Sequence, residues 1–206
     1  MRNDLTPYFE TYNLDKGRAT YKPLIYSSIY DSLLSKYRGQ EVNLVELGVG
    51  YGGCLQMWKG YLGSKAKIYG LDHYDHLLFS EPQIECFLVD QSKKEDLDNI
   101  RKLIPKIDVF IDDGSHFSKD QIMTYETVFP FVDPGGLYIV EDTHTSYREM
   151  FGGGYKAESS FIEYCKNIVD SLHGSETEAI KPNLWINEID SISFYRTMVV
   201  IKKSEG

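Results

Sequence analysis

Five short runs rich in β-branched and apolar residues, at 42–47, 67–71, 85–89, 107–111 and 136–140, alternate with stretches of helical period. That alternation predicts an α/β fold around a mainly parallel sheet, because parallel neighbours need a long crossover and the intervening stretches supply it. The crossover helices are expected over 53–61, 93–103 and 119–129, the last stopping before Pro130 and the Asp-Pro-Gly-Gly turn at 133–136. Further helices are expected over 21–37 and 158–172. The tail breaks the pattern: SISFYR and MVVIKK, within 191–203, have almost nothing between them and predict an antiparallel hairpin. The expectation is therefore seven strands, five parallel and two in a terminal hairpin, with helices on both faces.

Composition removes several functions from consideration. Of the 206 residues, Lys and Arg total 22 against 31 Asp and Glu, a net charge of −9, so a polyanion would meet repulsion and no nucleic-acid partner is expected. Cys54, Cys86 and Cys165 are odd in number and lack C-x-x-C spacing, as in a reducing compartment. The opening MRNDLTPYFETYN has no apolar core of a signal peptide, and no stretch approaches the ~20 apolar residues of a membrane span. A cytoplasmic protein without membrane association is expected. Residues 1–40 are read as a helical lid segment and 41–206 as the main part of one globular domain.

The segment VELGVGYGG (45–53) follows a strand and opens a helix, where glycines let the backbone turn sharply and approach a nucleotide-type ligand. It satisfies G-x-G-x-x-G through Gly48, Gly50 and Gly53, and also acid-x-G-x-G-x-G through Glu46, Gly48, Gly50 and Gly52. The first is a dinucleotide fingerprint and the second that of S-adenosylmethionine binders; the turn by itself leaves both open. Asp72 ends the second strand in YGLDHYD, at the spacing of a ribose-binding carboxylate. Asp90 ends the third in FLVDQSK, followed by Gln91 and Ser92, at the adjacent rim, where it could take the adenine amine; Glu46 would help orient the ligand's amino group. Ser92 is also a candidate helix cap. A dehydrogenase would need a second half-sheet that 206 residues hardly accommodate. Five parallel strands closed by a hairpin are the arrangement of class I S-adenosylmethionine-dependent methyltransferases, a Rossmann-like fold that the sequence resembles from about Val42 onward.

The fourth strand ends VFIDDGSH (109–116) and the fifth LYIVEDTH (137–144), each delivering an acidic pair to one rim. On neighbouring strands about 4.8 Å apart, up to four carboxylates would crowd together with no Lys or Arg inside either motif. A hard divalent cation relieves that repulsion, and Mg²⁺ suits oxygen ligation with positions left for water or substrate. Spacing leaves open which three acids ligate, although Asp113, standing further from its strand, is the better candidate than Asp112.

Together, IDDGSH, GGLYIVEDTHTSY, LDKG at 14–17 and VELGVGYGGCLQMW at 45–58 resemble the metal-dependent sugar O-methyltransferases of macrolide pathways, the mycinamicin type. The resemblance implies Mg²⁺ on Asp113, Glu141 and Asp142, with His116 as proton acceptor, a glycoside or sugar substrate, and assembly as a homo-oligomer. An extra N-terminal domain like that of some members is not expected. His144, just beyond the second acidic pair, competes with His116; His73 and His76 follow Asp72, and His173 is expected on a helix surface. Tyr147, Phe151 and Tyr155 around the Gly152–Gly154 run suggest a loop that closes over a sugar ring. Lys16 could meet a carboxylate of the site. Alternative readings are a cephalosporin-hydroxylase-like or catechol-type enzyme with similar carboxylates, and a non-catalytic relative that holds the nucleoside without turnover.

Overall fold

The computed structural model describes residues 3–13, 19–174, 177–180 and 182–206. The chain forms two compact units, residues 1–89 and 90–206. The LDKG motif, with Lys16, lies outside the described residues.

In the first unit, helices α1 (Thr6–Asn13) and α2 (Tyr26–Leu34) precede strand β1 (Asn43–Leu47), helix α3 (Gly53–Leu62), strand β2 (Lys67–Asp72), a two-residue strand β3 (Ser80–Glu81) and strand β4 (Ile84–Leu88). The order is β3-β4-β2-β1, with β1, β2 and β4 parallel and β3 antiparallel to β4. Leu44, Val45 and Leu47 are buried on both faces of β1, as in a parallel strand covered by helices. A Cβ on Gly70 of β2 would lie 2.7 Å from the Leu55 side chain of α3 and 2.8 Å from those of Val49 and Cys86, so these would have to shift to admit any larger residue. Trp58, fully buried, packs its ring 4.8 Å from Tyr30 of α2; burying a side chain of this kind stabilises by roughly 1.5–3 kcal/mol.

The second unit runs α4 (Lys94–Leu103), β5 (Ile107–Asp112), α5 (Ser118–Val128), β6 (Val132–Val140), α6 (Phe161–His173), β7 (Ile189–Tyr195) and β8 (Met198–Lys203), in strand order β5-β6-β8-β7. Strands β5 and β6 are parallel, and the hairpin is antiparallel, with Phe194 opposite Val199 and Tyr195 opposite Met198. Helix α4 buries Leu97 and Ile100, with Glu95 and Asp96 in its first turn and Arg101 and Lys102 in its last, which suits the helix dipole at both ends. Tyr125, Phe129, Tyr138 and Phe110 form a buried aromatic cluster, Phe110 stacking on Tyr138 at 5.2 Å.

Among the described residues the strands total eight rather than the expected seven. The addition is β3, two residues folded onto β4 through Gln83 at φ 75°, too short for any pattern to register. The Asp-Pro-Gly-Gly sequence is not a turn ahead of the strand. It lies inside β6, where Val132 pairs with Ile107 and Leu137 with Val109, so the extra residues form a bulge. Helix α2 starts at Tyr26 rather than Tyr21, and α1 was not anticipated. No helix among the described residues is long and apolar enough to cross a membrane.

Candidate active site

In the first unit the glycine turn leaves β1 and enters α3. Gly48, Gly50 and Gly52 have φ of 100°, 51° and 80°, the left-handed region that a Cβ disfavours, whereas Gly53 is an ordinary first helical residue. All three glycines of acid-x-G-x-G-x-G thus carry positive φ. Asp72, at the end of β2, fastens this turn: its Oδ2 accepts from Val49 N at 2.9 Å and Gly50 N at 3.4 Å, and its Oδ1 from Tyr74 N at 3.0 Å. His73 Nδ1 stands 3.5 Å from Asp72 Oδ1.

Glu46 is fully buried beneath the turn. Trp58 Nε1 donates to its Oε2 at 2.8 Å, and the ammonium of Lys22, itself buried, lies 2.8 Å from its Oε1. Lys22 belongs to the strap leading into α2. The strap is held again where Cys54 Sγ donates to Thr20 Oγ1 at 3.1 Å and where the exposed rings of Tyr21 and Tyr51 meet edge-on at 5.9 Å. The sequence offered no signal for the Lys22–Glu46 pair, since 24 residues and a helix separate them.

In the second unit, Asp90 Oδ1 accepts from Ser92 N at 3.0 Å and Ser92 Oγ at 2.7 Å, and Lys93 Nζ is 3.0 Å from its Oδ2. Bonding to Ser92 and Lys93 holds the Asp90 carboxyl down at about 2. Ser92 thus serves Asp90 and does not cap α4, whose cap position is Lys93 with no side-chain cap bond. Gln91 points inward. Its amide nitrogen donates to both oxygens of Asp112, at 2.8 and 2.9 Å, and approaches Thr124 Oγ1 at 3.1 Å, while its oxygen accepts from Ser115 N at 2.6 Å.

Asp112 and Asp113 consequently diverge. Asp112 is buried against Gln91, and burial pushes its carboxyl up to about 7, against the lowering effect of bonds from Gly114 and Gln91. Asp113 turns the other way: one donor atom each from Asp113, His116 and Asp142 lie within 4.8 Å of one another, and Asp113 and Glu141 oxygens also lie within 4.8 Å. Asp112 is thus withdrawn from the expected crowd of four carboxylates, and Asp113 meets Asp142 in one group and Glu141 in another. His116 and Asp142 have φ of 61° and 50°, left-handed conformations rare for residues with side chains. The Thr145 hydroxyl holds both, lying 3.0 Å from His116 O and 2.9 Å from Asp142 O. Sequence reasoning missed Thr145; the S/T three residues after Asp142 is the signal that could have found it.

His116 Nε2 is 3.8 Å from Asp142 Oδ2, and His144 Nδ1 is 3.9 Å from Asp142 Oδ1, so both histidines flank one carboxylate. His73 and His76 belong to the first unit, and His173 ends α6 on the surface. The glycine run is pinned: Gly154 N donates to Ser146 O at 2.8 Å and Gly153 N to Arg148 O at 3.1 Å, while Phe151 lies against Phe117 at 5.4 Å.

In the first unit the glycine turn can hold an anionic or nucleoside ligand; in the second the hard-oxygen cluster can hold a divalent ion. Three carboxylates fit Mg²⁺, which takes oxygen ligands; an imidazole nitrogen suits it less.

No protein-family model matches the chain. It is 37% identical over 159 residues, 73% of this chain and 42% of the relative, to the 8-demethyl-8-α-L-rhamnosyl tetracenomycin-C 2'-O-methyltransferase of Streptomyces olivaceus. It is 35% identical over 157 residues, 71% of this chain and 39% of the relative, to the mycinamicin VI 2''-O-methyltransferase of Micromonospora griseorubida. The demethylmacrocin O-methyltransferase of Streptomyces fradiae is 32% identical over 193 residues, 86% of this chain and 49% of the relative. The chain spans about half the length, or somewhat less, of these relatives. Among solved structures, the MycE methyltransferase of the mycinamycin pathway, in complex with Mg, SAH and mycinamycin VI, superposes with a TM-score of 0.85 at 30% identity, covering 98% of this chain and 54% of that one. A caffeoyl-CoA O-methyltransferase-like structure from Staphylococcus aureus, at TM-score 0.62 and 10% identity, shares the fold alone.

Proposed function

Because the chain is homologous over most of its length to sugar O-methyltransferases of macrolide and tetracenomycin pathways and has the Rossmann-like class I methyltransferase fold, we propose that it is an S-adenosylmethionine-dependent O-methyltransferase. Its substrate is a hydroxyl on a sugar or glycosylated small molecule, and its ion is Mg²⁺. The observation that carries this reading is the convergence of Asp113, His116 and Asp142 donor atoms within 4.8 Å.

Asp113, Glu141 and Asp142 would hold the ion, which when bound supplies positive charge that lowers the pKa of a hydroxyl beside it. His116 takes that hydroxyl's proton at Nε2, 3.8 Å from Asp142 Oδ2, where the carboxylate stabilises the imidazolium that forms. The strained backbone at His116 and Asp142, bridged by Thr145, fixes the base before the substrate arrives. On the donor side, Gly48, Gly50 and Gly52 present backbone to the ligand while Asp72 fixes their turn and Glu46 supports it from below. Asp90, with Ser92 and Gln91, supplies an acceptor that stays ionised at neutral pH. Residues 1–40 act as a helical lid on the 41–206 domain, a role supported by the Lys22, Thr20 and Tyr21 contacts to the glycine turn and its helix. Cytoplasmic location is supported by three cysteines without C-x-x-C spacing, and the net charge of −9 argues against nucleic acid. Homo-oligomer formation is proposed with these, supported by exposed Tyr21, Met150 and Tyr155.

A thermal-shift matrix tests the reading. S-adenosylhomocysteine and Mg²⁺ should stabilise the chain, a chelator should remove the Mg²⁺ effect, and Asp113→Ala should abolish it, while NAD should do nothing. Stabilisation by NAD instead of S-adenosylhomocysteine, or an undiminished Mg²⁺ effect in Asp113→Ala, would defeat it.

A further inference from the structure

The ring of His116 has no side-chain hydrogen bond to aim it. Its Nδ1 is buried without a partner among the described residues, and its Nε2 stands 3.8 Å from Asp142 Oδ2, beyond hydrogen-bond reach. A histidine base is ordinarily oriented by a bond at its second ring nitrogen. Here the aim comes from the backbone, which at His116 is left-handed, with φ of 61°.

That backbone is closed from both sides by Ser115. Its Oγ accepts from Phe117 N at 3.3 Å, a bond that spans His116, and donates to Asp120 Oδ2 at 2.8 Å. Asp120 is the third residue of α5 and is only 5% exposed. An acid at that position usually completes a capping box by accepting directly from the N–H of the residue before the helix. In α5 that residue is Phe117, and a hydroxyl stands between its N–H and the acid. A direct box would cap the helix equally well and leave His116 free. The relayed one ties the residues on either side of His116 to one carboxyl. Because an ionised carboxylate only accepts, the Ser115 hydroxyl points its proton at Asp120 and a lone pair at Phe117 N.

We propose that Asp120 is a positioning residue for the proton acceptor: through Ser115 it fixes the left-handed turn that sets the direction of the His116 ring. The inference rests on the methyltransferase reading, with His116 as its base, and deepens it. Thr145, 3.0 Å from His116 O, holds the carbonyl side of the same residue, so the two devices fix different ends of one turn.

The test is carbon-detected and proton-detected NMR of the histidine-labelled full chain with Mg²⁺ and S-adenosylhomocysteine at one fixed pH, the His116 ring peak being the one missing from His116→Asn. The wild-type chain should give one narrow His116 peak. In Asp120→Ala that peak should divide or broaden, and the Phe117 amide should exchange about fivefold faster, as loss of one hydrogen bond of ordinary strength predicts. The His73 and His173 peaks and the S-adenosylhomocysteine thermal shift should not change, which separates aim at His116 from a general loosening of the fold. Asp120→Asn keeps an acceptor oxygen and should restore the single narrow peak. If Asp120→Ala does not fold, Ser115→Ala is read in its place with the same expectation. A His116 peak that stays single and narrow in the alanine variant, or that broadens equally in Asp120→Asn, overturns the proposal. Failure of the methyltransferase reading appears separately, as a wild-type chain that S-adenosylhomocysteine does not stabilise, and failure of the base assignment as a His116→Asn enzyme with its kcat intact.

Discussion

Gln91 clamps Asp112: one side-chain amide bonds both carboxyl oxygens, at 2.8 and 2.9 Å, and the same side chain accepts from Ser115 N at 2.6 Å. Residue 91 follows the third parallel strand and residue 112 ends the next, so the clamp fixes where the loop carrying Asp113 and His116 leaves its strand. The inward turn of Asp112 is what lets Asp113 turn outward.

Gln91→Ala should therefore act on both stability and metal. It strips a buried carboxyl of its amide donor and Ser115 N of its acceptor, and an unsatisfied buried group costs roughly 1–3 kcal/mol. We expect about 2 kcal/mol of destabilisation, a fall in Tm of roughly 4–8 °C for a chain of this size, and a weaker Mg²⁺-induced shift. An unchanged Tm and Mg²⁺ response would show that the loop holds itself.

The Lys22–Glu46 pair is buried at both ends. Removing one partner leaves a buried charge without that counter-charge, and such losses cost ~3–5 kcal/mol, whereas removing both together costs much less. Lys22→Met should destabilise by about 3 kcal/mol in urea unfolding, and Lys22→Met/Glu46→Gln should recover at least half, because a glutamine still accepts from Trp58 Nε1. A double-mutant cycle measures the coupling; additive losses would mean that the two side chains do not act as a pair.

Most of what positions the site could be read from the chain before folding. Strands β1, β2 and β4 to β6 announce themselves as apolar runs of parallel-sheet type, and the acids at their ends follow from where those runs stop. The side-chain partners could not be read. Asp112 and Asp113 are chemically identical neighbours, and only the alternation of directions at a strand end, together with Gln91 waiting inside, separates them. The Lys22 contact depends on a chain path that no local period encodes. Asp72 met expectation in place but took the backbone of the glycine turn as its partner, a pairing that needs the turn's φ angles to be known. Strand β3 and the bulge at Gly135 come from pairing with neighbours, which short polar sequences do not reveal.

The pH behaviour of Asp90 follows from its partners. Ser92, then Lys93, hold the carboxyl at about 2, below the ~3.9 of an unfolded aspartate. Its contribution is thus fully present above the unfolded value and is lost as pH falls from about 4 through about 2. Because the group is part-exposed the stability effect is small, and the readout is the titration itself. Ser92→Ala should move the Asp90 midpoint up toward the ordinary aspartate value in a carboxyl-carbon NMR titration. A midpoint that stays near 2 would assign the shift to Lys93 and the backbone N–H of residue 92.

The two histidines beside Asp142 divide differently between ion and acceptor. His116 belongs to the cluster with Asp113 and Asp142, while His144 lines a hollow shared with Tyr147, Ile162 and Phe194. Both lie just beyond hydrogen-bond reach of Asp142, at 3.8 and 3.9 Å, so distance does not choose the base and the surroundings must. Asparagine is the replacement to use at 116, because it tolerates the left-handed backbone there. His116→Asn should lower kcat by roughly 10²- to 10⁴-fold with the Mg²⁺ concentration for half-saturation unchanged, as loss of a general base does. His144→Asn should mainly raise the acceptor KM. A His116→Asn enzyme whose activity returns at high Mg²⁺ would make His116 a ligand, and a kcat collapse confined to His144→Asn would move the proton acceptor across Asp142 to the side facing the hollow.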